Sequence, residues 1–377
     1  MIILNRRNFL ISTTGLLSVA ACVQILRPRQ REPYSTSPIS DEEHARTLFH
    51  MRPPKRRRPV IVVFADNQGS ETTDFIIPWS VLTRSGVADV YAVGLDSGPI
   101  NLMPALTIVP QMTTHQFSQQ FPEGADYVIV PALHNPKSPN ALAWIQQQRT
   151  SNATLIGICA GALPLAYAGL LEGKRATTHW FSIKKLMRVS PSTLWINDRR
   201  FVADNGIITS TGVSASLPLS LSLVEAIAGR EASDELAAGL GVSRYDEQHD
   251  SDYFELRPST VYRVVSNSVS IFGHEKIALS ITNGVDELSL SFTADAWSRT
   301  YRSKAFTVSG TERVMSLNGL EIIPDFMTGS EQKFETYAPI PESPGNSLSS
   351  TLAQIEGRYG ASTASNVALQ LEYPWQE

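Results

Sequence analysis

Cys159 stands between the apolar run ATLIGI and the apolar stretch ALPLAYAGLL, with Gly157 and Gly161 on either side. The first run reads as a buried strand, and the second as a helix that stops at Glu172-Gly173. A small nucleophile on a glycine-flanked strand-to-helix turn is the pattern of a nucleophile elbow, which lifts the side chain out of the sheet. The helix N-terminus behind it favours a thiolate, so the spacing predicts a thiol pKa below the free value of about 8.5. The same position also suits a buried cysteine that acts as a small hydrophobe.

A cysteine nucleophile needs a group that carries its proton and donors for developing negative charge. Asp74, in GSETTDFIIPWSVL, is the first candidate: protonated, it would hydrogen-bond a thiolate, and ionised it would act as a base. Its competing role is helix capping, which Thr72 or Thr73 could take instead. His179, in ATTHW, has two readings, orienting or deprotonating Cys159 or hydrogen-bonding backbone. Ala160 N–H offers one oxyanion donor, and the stretch Pro131-Ala132-Leu133-His134 follows a strand end near enough for Ala132 and His134 to enter the pocket.

These segments resemble the ThiJ/PfpI family of the class I glutamine-amidotransferase-like superfamily. The resemblance rests on ICAG at Ile158 to Gly161 and the AGLLEGKRATTHW tail. It extends to GSETTDFIIPWSVL and to TSTGVSAS at Thr209 to Ser216, covering roughly Pro59 to Val242. It implies Cys159 as nucleophile, Asp74 as the acidic residue that approaches it, and His179 as a nearby histidine. It also implies hydration or hydrolysis of a small electrophile, as in isocyanide hydratases and glyoxalase-like members, and raises the expectation of a homodimer. Two departures stand out. Ala160 occupies a position where other members place a histidine, and a glycine pair usual after the fourth strand is replaced by Ala132-Leu133. The runner-up reading is a non-catalytic ligand-binding or redox-sensing lipoprotein of the same fold.

Runs that alternate with helices along the chain, PVIVVFA, VADVYAVG, LTIVPQM, ADYVIVPA and ATLIGI, predict an α/β fold. The expected form is a flavodoxin-like three-layer sandwich with a mostly parallel sheet over residues 59–245. A connector, 246–275, would contribute strands through TVYRVVSNSVSIF. Residues 276–377 echo the first domain. KIALSITNGVDELSLSFTADAWSRT parallels PVIVVFADNQGSETTDFIIPWSVLTRSG, GLEIIPDF parallels ALTIVPQM, and LAQIEGRYG parallels VEAIAGREA. Ser289 stands where Asp74 stands, and no cysteine follows. The echo reads as a partial, degenerate α/β repeat without a nucleophile, against the alternative of chance similarity. Deleting 246–377 is expected to expose apolar surface while leaving Cys159 chemically intact.

The 377-residue chain has ordinary globular composition and is long enough for two cores. Its net charge of −4 hides an asymmetry, because the first 58 residues carry a local +7 and the remainder is acidic at −11. An acidic body and the lack of a helix-turn-helix segment after Val242 argue against nucleic acid as a partner. Seven scattered histidines without a ligand spacing argue against a metal, and no motif calls for a cofactor. Arg6-Arg7-Asn8-Phe9-Leu10 resembles a twin-arginine signal, and Val19-Ala20-Ala21-Cys22 resembles a lipobox. That reading makes residues 1–22 an export signal and Cys22 a lipidation site, with the protein periplasmic and held at the membrane by the lipid. An uncleaved N-terminal anchor is the alternative. Residues 23–58, rich in Pro, Ser and Arg, read as a basic tether. A small-molecule substrate or ligand is the partner that the site itself implies.

Overall fold

The structure, a computed structural model, describes residues 38–53, 55–254 and 274–375. The export signal, the lipobox with Cys22 and the TVYRVVSNSVSIF strands of the connector lie outside the described residues.

The first elements are α1 (Asp41–Met51), β1 (Val60–Ala65), β2 (Ser70–Glu71), α2 (Thr72–Ser85) and β3 (Asp89–Gly94). They are followed by β4 (Ile100–Met103), β5 (Thr107–Val109), β6 (Met112–Thr113), α3 (Thr114–Gln120), β7 (Tyr127–Val130) and α4 (Pro139–Thr150). Next come β8 (Thr154–Gly157), α5 (Ala162–Tyr167), β9 (Arg175–Ala176), α6 (Ile183–Val189) and β10 (Leu194–Trp195). The first domain closes with β11 (Phe201–Asp204), β12 (Ile207–Ser210), α7 (Ser216–Ala228) and α8 (Arg230–Leu240).

Its main sheet has the order β11-β12-β8-β7-β1-β3-β6. All neighbours are parallel except the edge pair β11–β12. The five central strands, β3-β1-β7-β8-β12, follow the doubly wound order of flavodoxin-like folds, with the crossover reversing between β1 and β7. Strands β1 and β7 are buried along their whole length, as continuous apolar runs covered on both faces must be. One face packs Phe117, Trp144, Ile145 and Leu165; the other packs Phe75, Ile76, Leu221 and Val224. The architecture is thus the α/β sandwich that the alternating pattern predicts.

The second half repeats part of this plan. It contains β13 (Glu275–Ser280), α9 (Glu287–Ser298), β14 (Ser303–Ser309), β15 (Val314–Met315), β16 (Glu321–Ile323), β17 (Phe326–Met327) and β18 (Thr336–Tyr337). It ends with α10 (Ser347–Tyr359) and α11 (Ala361–Gln370). Its sheet order, β17-β14-β13-β18, matches β6-β3-β1-β7. The helix pair α10–α11 is joined at Gly360 (φ 87°, ψ 160°) as α7–α8 is at Gly229 (φ 92°, ψ 168°). No counterpart of β8, α5 or β12 separates β18 from α10, so the repeat lacks the elbow.

The two halves meet about a pseudo-twofold. β5 and β16 pair antiparallel with Ile108 opposite Ile322, and the partners on either side are exchanged symmetrically (Thr107 with Ile323, Val109 with Glu321). Helices α2 and α9 pack together, and each ends on an arginine that reaches the acidic N-cap of the other. Arg84 lies 2.8 Å from Asp286, and Arg299 lies 2.7 Å from Glu71. One apolar core runs through both halves, joining Ile76 and Leu82 to Leu288, Phe292 and Trp297. The third strand expected at LTIVPQM divides accordingly. Met112–Thr113 joins the main sheet, while Thr107–Val109 leaves it to make this inter-repeat contact.

The tether expected over 23–58 needs correction where it is described. Residues 41–51 form helix α1, capped by Ser40 and bearing Asp41, Glu42 and Glu43 in its first turn, where acidic residues favour the helix. It docks on the first domain: Met51 is fully buried, Tyr127 Oη donates to Met51 C=O at 2.6 Å, and Arg199 pairs with Glu43. His44 sits between Glu225 and Glu247, whose hydrogen bonds push its pKa up to about 10. A histidine with a raised folded pKa stabilises fully below its unfolded value, and that contribution is lost as pH rises through about 10. The SDEE signature was legible in the sequence, but Pro and Arg composition outweighed it.

Candidate active site

The elbow is built by backbone crowding. Strand β8 delivers Ile158, then Cys159 turns at φ 56°, a left-handed conformation that costs a non-glycine residue about 1–3 kcal/mol. A 3-10 turn, Cys159–Gly161, leads into α5. A side chain at Gly161 would place its Cβ 2.0 Å from Val130 O, and one at Gly157 would sit 2.9 Å from Gly161 O. The glycines around Cys159 therefore let β7, β8 and the turn close on one another. The Ala160 N–H favours the ionised sulfur of Cys159, and Thr178 Oγ1 donates to Cys159 C=O at 2.8 Å.

Asp74 lies in the first turn of α2 and is fully buried. Neither threonine caps that helix. Glu71 does, accepting Asp74 N–H at 2.6 Å, while Thr72 Oγ1 donates to Ala105 C=O and Thr73 Oγ1 to the Glu71 carboxylate. Asp74 is thereby released from capping. Its Oδ2 accepts Ala132 N–H at 3.1 Å, and its Oδ1 is buried with no hydrogen-bond partner. Burial raises the pKa of Asp74 to about 7 and, aided by the Asp74 charge, that of Glu71 to about 7. Such a group can hold or release a proton near neutral pH.

The sequence misses the cation that compensates this cluster. Arg299, at the end of α9 in the second repeat, lies 2.7 Å from Glu71 and 2.6 Å from Asp295. Asp295 is also fully buried and its pKa is pushed well up by burial. A signal for Arg299 existed, because the repeat aligns it with Arg84, but a repeat without a cysteine reads as remote from the site.

Cys159 departs from expectation. Burial pushes its thiol well above the ordinary range, and the charges of Asp74, Glu71 and Glu372 push it further, while the Ala160 N–H and the Arg299 charge act the other way. The helix behind it, six residues long, does not overcome three neighbouring carboxylates. The resting state is therefore the thiol, and a thiolate must be made as the reaction proceeds.

His179 also takes a different role from the catalytic one. Its Nδ1 accepts Phe181 N–H at 3.3 Å, which leaves the Nε2 hydrogen to donate to Gln370 C=O at 3.1 Å. Burial lowers its pKa, so the ring is neutral with both nitrogens engaged by backbone. It is an anchor for the end of α11. The same end supplies Glu372, which is 2% exposed and sits at φ 48°. Its carboxylate accepts Trp180 N–H at 2.6 Å and also Gly212 N–H. Gln370 Nε2 in turn donates to Arg299 C=O. The second repeat thus clasps the loops flanking the elbow, a contact with no short-range sequence signal.

The expected pocket residues divide. Ala132 spends its N–H on Asp74 and does not serve as an oxyanion donor in this arrangement. His134 is exposed, its N–H tied to Gly69 C=O at 2.8 Å, and with Ala160 it lines a cleft beside the elbow. Among the described residues no cluster of His, Cys, Asp or Glu is arranged to hold a metal.

The cysteine on its strained strand-to-helix turn and the buried acid of the first helix of the doubly wound sheet both fall within residues 59–226, the stretch of this chain that matches the DJ-1/PfpI family. Residues 59–226 are a DJ-1/PfpI family domain. Similar proteins include the Parkinson disease protein 7 homolog of Danio rerio, 26% identical over 178 residues, 46% of this chain and 92% of that protein. The isonitrile hydratase of Pseudomonas putida is 29% identical over 160 residues, 41% of this chain and 67% of that protein. The HTH-type transcriptional regulator CdhR of Pseudomonas aeruginosa is 32% identical over 127 residues, 34% of this chain and 37% of that protein. In this chain the DJ-1/PfpI domain is followed by a segment that repeats part of its strand order, and that segment supplies Arg299 and Glu372, whose charges are felt at Cys159.

Proposed function

We propose that this DJ-1/PfpI protein hydrates or hydrolyses a small electrophile with Cys159 as nucleophile and Asp74 as proton carrier. The observation that carries the reading is the buried, unpartnered Oδ1 of Asp74, a group with a pKa of about 7 whose charge is felt at the Cys159 thiol. For an isocyanide, sulfur attacks the terminal carbon and one bond of the C–N multiple bond opens as the thiol proton passes by way of Asp74 to that carbon, giving a thioimidate. Water then adds across the C=N bond, oxygen to carbon and one proton to nitrogen, and the C–S bond breaks as the hydroxyl proton passes by way of Asp74 to the leaving sulfur, releasing the formamide and the thiol. Ala160 N–H is placed to stabilise charge at the sulfur. Isocyanides and 2-oxoaldehydes are the substrate classes to assay first. The Arg6-Arg7 pair and the Val19–Cys22 box support a further element, export with lipid attachment at Cys22 to the periplasmic face of a membrane. Fractionation with a lipid label tests this, and an unprocessed cytoplasmic product would sink it.

The chemical test follows Cys159 alkylation by peptide mass spectrometry across pH, together with turnover. The alkylation midpoint is expected above the free-thiol value of about 8.5. Asp74→Asn should lower that midpoint, since it removes a negative charge beside the sulfur, yet reduce turnover by about 10²–10⁴-fold, the usual contribution of a general base. Turnover that survives Cys159→Ser removes the proposal. A non-catalytic ligand-binding role is the second reading, favoured by the raised thiol; it predicts saturable binding with no product formed.

A further inference from the structure

The cleft beside the elbow carries a charge pattern that the chemistry above does not use. Lys137, Lys184, Lys185 and Arg188 line it, and no Asp or Glu is among its lining residues. The head groups of Lys184, Lys185 and Arg188 make no ion pair or hydrogen bond with a described residue, and Lys137 Nζ stands 4.9 Å over the Tyr167 ring. Four uncompensated cations around one concavity are conspicuous in a chain whose body is strongly acidic. Concave walls focus such a field and raise the local concentration of anions. Those walls are apolar: Leu133, Leu163 and Tyr167 lie inside, and Phe181, 72% exposed, forms part of the lining. Ala160, the residue directly after Cys159, lines the same cleft, so the cleft adjoins the nucleophile.

We propose that this cleft binds a small organic anion, a carboxylate or phosphate ester with an apolar body, its charge held by Lys184, Lys185 and Arg188. The apolar body lies against Leu163, Tyr167 and Phe181. As a statement about substrate it rests on the nucleophile reading; as a statement about binding it does not. The approach lies on the α5–α6 side of the sheet, whereas Glu71, Asp295 and Arg299 lie on the α2–α9 side, so the anion need not cross the carboxylate cluster.

The test is calorimetric titration of the full chain with benzoate and phenyl phosphate as anionic probes and phenol as the neutral one. Both anions, or one of them, should bind at least about tenfold tighter than phenol, the preference between them identifying which anionic group the cleft takes. Raising salt from about 0.05 to 0.2 M should weaken them. Lys184→Glu with Lys185→Glu should abolish that preference, and Arg188→Gln should reduce it, with melting unchanged because all three side chains are exposed. Protection of Cys159 from iodoacetamide by the bound anion would join cleft to nucleophile. Anion binding that depends on these residues in a protein without turnover upholds the cleft and fells the enzyme reading. Equal affinity for phenol and the anions, or an unchanged preference in the lysine variant, overturns the cleft whatever Cys159 does. Binding of phosphatidylglycerol vesicles through these lysines while both small anions fail also overturns it, assigning the patch to a lipid surface.

Discussion

A chain lacking residues 274–377 is expected to lose cooperative folding, with Cys159 changed as well. Helix α2 is buried at every position from Thr72 to Leu82, and one of its flanks is covered by α9. Truncation strips away Leu288, Leu290 and Phe292, each fully or nearly fully buried in the shared core. Burial of such side chains is worth about 1.5–3 kcal/mol apiece, against a total stability of about 5–15 kcal/mol for a typical domain. The truncation also removes Arg299 from Glu71, Gln370 from His179 and Glu372 from Gly212. The expectation from sequence that Cys159 would be left chemically intact is therefore revised. Calorimetry should show a broadened or absent transition, dye binding should report exposed apolar surface, and the alkylation profile of Cys159 should move. A truncated protein that melts as the full chain does, with the same profile, would show that the repeat is an appendage.

Arg299→Ala is expected to cost about 3–5 kcal/mol near pH 8, the usual penalty for leaving buried charge uncompensated. Glu71, Asp74 and Asp295 then share a buried space without their cation. Carboxyls whose folded pKa lies above the unfolded one contribute most in acid. The contribution fades as pH climbs from about 4 to the folded value, about 7 for Glu71 and Asp74. Loss of Arg299 raises those folded values further, so the destabilisation should be smaller at pH 5 than at pH 8. The thiol should also become harder to ionise, because the Arg299 charge is felt at Cys159. Arg84→Ala supplies the control: it breaks the symmetry-related contact to Asp286 and Glu287 and should lower stability without moving the alkylation profile. Denaturant melts at the two pH values, with alkylation of Cys159, check both. Equal loss at pH 5 and pH 8 would argue that Arg299 acts through packing alone.

The elements of the first domain were legible because their signals are local. VIVVFA, YVIV and TLIG are apolar along their whole length since both faces of the sheet are covered. Gly157 is fixed locally, since a Cβ there would lie 2.9 Å from Gly161 O, whereas Gly161 is fixed across the sheet by Val130 O, 2.0 Å from where its Cβ would be. The echo of DELSLSFTADAW with TTDFIIPWSVL was equally readable as pattern. What that echo does was not readable, since it depends on a pseudo-twofold that sets Arg299 against Glu71 across 228 residues of chain.

The sequence by itself determined the α/β plan, the cysteine at the elbow and the presence of a copy without one. Tertiary structure alone decided the electrostatics of the site. Glu71 takes the capping role and frees Asp74, the Asp74 carboxyl accepts the N–H expected for an oxyanion, and His179 turns to the backbone of Gln370. A thiol that spacing would have made acidic is held protonated by burial among carboxylates. The physical reason is range. Strand burial, turn sterics and helix caps act between neighbours in sequence, whereas a pKa reports every charge and every lost water around a group, wherever in the chain each one originates.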